Sequence, residues 1–314
     1  MRRSVSRWVR WLSLALLGVC AASVQAAEHK PRVALVMKSL ANEFFQTMQA
    51  GAKAHQQAHA SEYELITSGI KDEIDTTGQI RLVEQMLARH VDALVIAPAD
   101  SRALVPVLQT AIARGVLVVN IDNRLDPNVL AGKHLVIPFV GPDNRAGARL
   151  AGDFLAKQLK AGDKVGIIEG VTTTVNAQQR TLGFKDAMSA ANIQIAAVQS
   201  GEWELQKANT VASAMLREHP DLVALLCGND SMALGAVAAV RSTGRSGKVK
   251  VIGYDNIGAV KPLLADGRMV ATVDQFASRQ AVAGIEVSLA ALADKTPQHK
   301  LPAETSTAVS VVTR

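Results

Sequence analysis

Leu222-Val223-Ala224-Leu225-Leu226-Cys227-Gly228-Asn229-Asp230-Ser231-Met232-Ala233-Leu234-Gly235-Ala236 shows in miniature how this chain is built. A short apolar run ends in small polar residues and gives way to helical spacing. Apolar side chains at every position of so short a run mark a strand buried on both faces, as in a parallel sheet. The polar pair then stands where strand passes into helix.

The same unit recurs along the chain. Strand patterns fall at 32–37, 63–67, 93–97, 116–121, 164–168, 194–199, 224–227, 249–253 and 270–273. Between them apolar residues return at helical spacing, as in Ile80, Val83, Met86 and Leu87, in Ala151, Phe154, Leu155 and Leu159, and in Val282, Ile285, Leu289 and Leu292. Apolar strands alternating with amphipathic helices predict α/β architecture, doubly wound, with helices on both faces of parallel sheets. The alternation breaks once, at 126–141, where no helix pattern appears. There 135–140 reads as a strand running into the turn Gly141-Pro142-Asp143-Asn144, with a new helix from Arg145, and a first crossing between lobes is expected near Pro142.

The N-terminus has another purpose. Arg2, Arg3, Arg7 and Arg10 precede a nearly all-apolar stretch from Trp11 to Ala22, and Val24-Gln25-Ala26 offers small residues for a signal peptidase. Residues 1–26 are therefore expected to be an export signal cleaved near Ala26, which places the mature chain in the periplasm. Removing four arginines and no acid lowers the formal charge from +6 to +2, so the basic precursor is no argument for nucleic-acid binding. Cys20 goes with the signal. Cys227 remains alone, without a disulfide partner, and reads as a buried small hydrophobe. About 285 residues exceed the usual size of one core, so two domains are expected.

In open α/β sheets ligands sit beyond the carboxyl ends of the strands. Those positions hold Lys38 and Asn42, Asp122 and Asn123, Asn229 and Asp230, Tyr254 and Asp255, and Asp274 and Gln275, with Phe44, Phe45 and Trp203 close by. Any one of them alone reads equally well as a helix cap. Together, short carboxylates and amides can pair with adjacent hydroxyls while aromatic faces cover C–H patches, which suits a neutral polyhydroxylated ligand. The loop after the first strand, Lys38-Ser39-Leu40-Ala41-Asn42, lacks the glycines of a nucleotide-binding turn, and no Gly-x-Ser-x-Gly or His-Glu-x-x-His sequence occurs. No enzyme, cofactor or metal is expected. His55 and His59 share a helix face without a third ligand and read as solvated.

Four strings in the same order carry a resemblance: Val33 to Phe45, Asn229 to Ala236, Val251-Ile252-Gly253-Tyr254-Asp255, and Ala271-Thr272-Val273-Asp274-Gln275. On them the chain resembles the ribose-type periplasmic sugar-binding proteins of ATP-binding cassette importers over essentially its whole mature length. The resemblance implies a periplasmic binding protein of type 1: two Rossmann-like lobes, 30–142 plus 276–303 and 143–275 plus 304–314, joined by three hinge crossings near Pro142, Gln275 and Pro302. It also implies a monomer that encloses a sugar or sugar alcohol and delivers it to a membrane permease, or, alternatively, presents it to a membrane receptor. Carried over by position, Lys38, Asn42, Phe44, Phe45, Asp122 and Asn123 come from the first lobe, and Gln178, Arg180, Trp203, Asn229, Asp255 and Gln275 from the second and its hinge. Lys38, Asn123, Gln178 and Trp203 depart from the ribose-binding pattern, and Lys38 and Cys227 are nearer an allose binder. Asp122, Asn229 and Asp255 are expected to take hydroxyl contacts, Trp203 to stack, and Asp230 to cap the helix from Ser231. Lys38 needs a partner, either one of the acids Glu43, Asp122 and Asp255 or, alternatively, an acidic ligand such as a sugar acid; site charge favours a neutral ligand to whose hydroxyl or ring oxygen Lys38 donates. The lactose-repressor class shares the lobe fold but requires a DNA-binding helix pair ahead of the first strand, for which there is no room.

Overall fold

The computed structural model describes residues 30–314. The expected export signal, its expected cleavage point and Cys20 lie outside the described residues. Among those described, no helix is long and apolar enough to cross a membrane.

The first sheet has six parallel strands. They are β1 (Arg32–Ser39), β2 (Glu64–Ile70), β3 (Ala93–Ile96), β4 (Leu117–Ile121), β5 (Phe139–Pro142) and, from near the chain's end, β11 (Glu304–Thr307), in the order β11-β5-β4-β3-β1-β2. Side chains of β1 alternate between two cores. Val33, Leu35 and Met37 pack with α1 (Glu43–Ala58) and α10 (Ala277–Ala293), whereas Ala34 and Val36 pack with α2 (Thr76–Ala88) and α3 (Val105–Ala113). Burial on both faces is what the uninterrupted apolar run requires, and each fully buried aliphatic side chain contributes roughly 1.5–3 kcal/mol.

The second lobe repeats the plan with β6 (Lys164–Glu169), β7 (Gln194–Ser200), β8 (Leu222–Cys227) and β9 (Lys250–Ile252) in the parallel order β7-β6-β8-β9. Helices α5 (Asn144–Ala156) and α6 (Val175–Ala190) cover one face through Ala148, Ala151, Phe184 and Ala187. Helices α7 (Leu205–Glu218) and α8 (Asp230–Ser242) cover the other through Ala208, Met215, Met232 and Ala236. A short antiparallel pair, β10 (Thr272–Asp274) with β12 (Ser310–Val312), completes the lobe beyond β9.

Three chain segments join the lobes, between β5 and α5, between β10 and α10, and between β11 and β12. The last differs from expectation. Residues 304–307 were assigned to the second lobe beyond a crossing near Pro302, but they pair with β5 in the first sheet, and the chain crosses between Thr307 and Ser310. Glu304-Thr305-Ser306-Thr307 is a polar, half-exposed edge strand with no apolar run to announce it. The break at 126–141 also holds a short helix, α4 (Pro127–Gly132), capped by Asp126, and its strand begins only at Phe139.

Candidate functional site

The carboxyl ends of the two sheets face each other, and a small, tightly enclosed cavity lies between them. Lys38 ends β1, Asn42 caps α1, and Phe44 and Phe45 form its first turn; Asp122 follows β4. From the other lobe come Arg180 on α6, Trp203 before α7, Asn229 at the cap of α8, Asp255 after β9 and Gln275 at the second crossing. Ten of the twelve expected residues therefore line one space.

The other two do not. Asn123 is fully buried in the first lobe, where its amide donates to Pro98 O at 2.9 Å. Its Oδ1 accepts from Ser101 Oγ and from Asn176 N, both at 3.3 Å, so it supports the lobe contact. Gln178 is exposed and donates to Thr172 O at 2.8 Å. Two residues along a helix is about 200° around it, so Gln178 points away from the face carrying Asn176 and Arg180. Asn176 holds the place given to Gln178 and lines the cavity.

Glu73 was missed. It is the single fully buried side chain between Lys71 and Asp75, on the turn from β2 to α2, and its Oε2 lies 2.9 Å from Lys38 Nζ while Oε1 accepts from Asn42 Nδ2 at 3.0 Å. The partner of Lys38 is thus Glu73, and none of the three acids named from the sequence. Strand β2 runs to Ile70, three residues beyond its apolar pattern, because Thr67-Ser68-Gly69 is a half-buried edge. A strand ending at 67 hid Glu73's place just past the strand end.

Backbone conformation aims several of these groups. Asp122 (φ 59°), Trp203 (φ 66°) and Asp255 (φ 119°) lie at positive φ, which costs an L-residue about 1–2 kcal/mol. The Trp203 ring lies against Gly170, where a Cβ would collide with it, and its buried indole N–H has no acceptor among the described residues. Arg180 donates to Asn144 Oδ1 at 2.8 Å and Gly228 O at 2.9 Å, approaches Asp255 Oδ1 at 3.4 Å, and stacks 3.7 Å above the Tyr254 ring. Gln275 Nε2 donates to the same Asp255 oxygen at 2.7 Å. Asp122, 2 % exposed, accepts no hydrogen bond from a described residue.

Asn229, not Asp230, caps α8: its Oδ1 accepts from Met232 N at 2.8 Å. Asp230 is buried and accepts from Thr272 Oγ1 at 2.7 Å and Ile257 N at 3.0 Å. Burial, with the nearby Asp255, holds its carboxyl well above the ordinary range. Asp122 is raised mainly by burial, against the pull of Lys38 and Arg180. Burial pushes Asp255 up to about 7, Arg180 opposing and Asp122 adding to the rise. The cavity groups formally carry two positive charges, Lys38 and Arg180, against three negative, Glu73, Asp122 and Asp255, a net of −1. Cys227 is buried, and desolvation raises its thiol. His55 pairs with Tyr63 Oη at 2.9 Å and stacks on His59.

The lobes touch around this cavity. Glu43 at the start of α1 accepts from Gly258 N at 2.7 Å and Ala259 N at 3.2 Å in the other lobe, Val175 N donates to Ser101 Oγ at 2.9 Å, and Glu73 N approaches Glu204 Oε1 at 3.4 Å. The arrangement is a closed clamp around a small polar space with two aromatic walls.

Fold and clamp define a protein that encloses a small solute, and the chain belongs to the periplasmic binding protein family, whose domain model matches residues 33–296. It is 62% identical to a D-ribose/D-allose-binding protein of Pseudomonas aeruginosa, over 100% of this chain and 99% of that one. An ABC transporter solute-binding protein of Burkholderia multivorans, with an unidentified ligand built as α-D-erythrofuranose, matches with TM-score 0.89 and 63% identity over 91% of this chain and 100% of that one. A solute-binding protein of Actinobacillus succinogenes with bound D-allose matches with TM-score 0.84 and 34% identity, over 90% and 98%.

Proposed function

We propose that this chain captures one neutral monosaccharide ring between its lobes in the periplasm and hands it to the permease of an ABC importer, with D-allose and D-ribose as the first candidates. The cavity supports the reading. Its carboxylates, amides and guanidinium can each engage hydroxyls, Trp203, Phe44 and Phe45 supply apolar faces, and a formal charge of −1 opposes a second anion. In the relation to ligands, Lys38 donates to a hydroxyl or ring oxygen, Asp122 and Asp255 accept from hydroxyls, and Asn176 and Gln275 bridge the lobes around the ring.

A thermal-melt series over D-allose, D-ribose, other pentoses and hexoses, and pentitols tests this. A sugar at 100 times its dissociation constant adds about 2.7 kcal/mol to native stability, a shift of several degrees. D-allose, D-ribose or both should give it. No shift with any neutral sugar at millimolar concentration would reject the reading.

A further inference from the structure

Glu73 is placed to do more than neutralise a lysine. It is 1 % exposed on a loop whose neighbours Lys71, Asp72 and Ile74 are all exposed, so its side chain is turned inward against the run of the loop. One carboxylate oxygen is held by Asn42, the cap of α1, and the other faces the Lys38 ammonium. That ammonium lies 5.2 Å from the Trp203 ring and 5.8 Å from the Phe45 ring, inside the cavity. A buried ammonium between aromatic walls is the natural seat for a ligand carboxylate, since its alternative is an uncompensated charge. Glu73 occupies that role from within the protein.

We infer that Glu73 is a specificity-determining residue: it stands in for a ligand anion at Lys38 and so excludes carboxylated sugars from a site that otherwise has the cations to take them. The inference deepens the proposed function and shares its site. With Glu73 neutralised, the formal charge of the lining moves from −1 to 0 and Lys38 is left without its fixed counter-ion. Glu73→Gln keeps an acceptor for Asn42 and a similar volume, so the loop retains its anchor.

The test uses the chain from Ala27, which keeps every described residue and has Trp203 as its one tryptophan, the other two being Trp8 and Trp11. Fluorescence titrations with D-allose, D-ribose and D-ribonate are compared in the parent chain, Glu73→Gln and Lys38→Met/Glu73→Gln. In parallel, quenching of Trp203 by iodide is divided by quenching by neutral acrylamide, which reads the charge of the cleft whatever the sugar. Glu73→Gln should narrow the preference for neutral sugar over D-ribonate at least tenfold and raise the iodide-to-acrylamide ratio; the double variant, back at a formal −1, should reverse both. A Glu73→Gln protein with parent-like circular dichroism and melting but unchanged preference and quenching ratio overturns the inference. If the parent binds neither sugar while Glu73→Gln still raises the ratio, the sugar assignment fails and the role of Glu73 stands. Should Glu73→Gln not fold, Lys38→Gln runs the test in the opposite direction, taking the lining to −2, and must lower the ratio.

Discussion

Asp122 and Asp230 are both buried carboxylates near strand ends, yet they have opposite roles in the balance of binding and stability. Asp122 accepts nothing from the described residues, so Asp122→Asn, which also tolerates positive φ, should leave the fold intact and cost affinity. A charged hydrogen bond is worth about 1.5–3 kcal/mol, so a ten- to hundredfold loss is expected by titration. Asp230→Ala strands Thr272 Oγ1 and Ile257 N and should cost about 1–3 kcal/mol in urea unfolding. Asp255 adds a pH dependence. Its folded value near 7 lies above the ordinary carboxylate value of about 4, so its proton stabilises the empty closed form fully below that lower value and the benefit is lost as pH rises through 7. A sugar hydroxyl donating to the carboxylate needs the ionised form. Calorimetry at pH 6 in two buffers of different ionisation enthalpy should therefore show nearly one proton released on binding, and none at pH 8.5, with affinity rising up to pH 7 and then flat.

The elements were legible in the sequence wherever burial wrote a pattern. Continuous apolar strands and their covering helices declared the doubly wound lobes, while polar edges did not, which is why β11 and the full length of β2 escaped notice. The site followed the same division. Residues attached to well-marked strand ends, such as Lys38, Asp122, Asn229 and Asp255, were found, and Glu73, beyond a blurred strand end, was not. On α6 no apolar stripe marks which face turns inward, since its apolar and polar residues are spread around the axis. The turn resolves the matter: Asn176 and Arg180, one turn apart, share the cavity face. Asn176→Ala should weaken binding, and Gln178→Ala should leave it within about twofold by titration. Just past β6, Gly170→Ala would displace the Trp203 ring and should reduce affinity roughly tenfold or more while the fold survives.

For the whole molecule the closed clamp implies an equilibrium, because side chains of both lobes are buried against an interior that a ligand must enter. Small-angle scattering should show a larger radius of gyration without sugar than with it, the lobes rotating about the three crossings. Glu43 contacts the other lobe from the rim of the cleft and does not itself line the cavity, so Glu43→Ala should act mainly on closure. Loss of its net hydrogen-bond energy, about 0.5–1.5 kcal/mol, predicts roughly two- to tenfold weaker binding, expressed as faster release in stopped-flow traces of Trp203 fluorescence. The placement of β11 and β12 reaches further, into the making of the protein. Helix α10 and β11 belong to a lobe whose other strands are synthesised first, and β12 completes the second lobe last of all. A growing chain therefore lacks the edge strand of its first sheet, the helix that covers it and the last strand of the second lobe until its final residues leave the ribosome, so neither lobe can be completed before synthesis is nearly over.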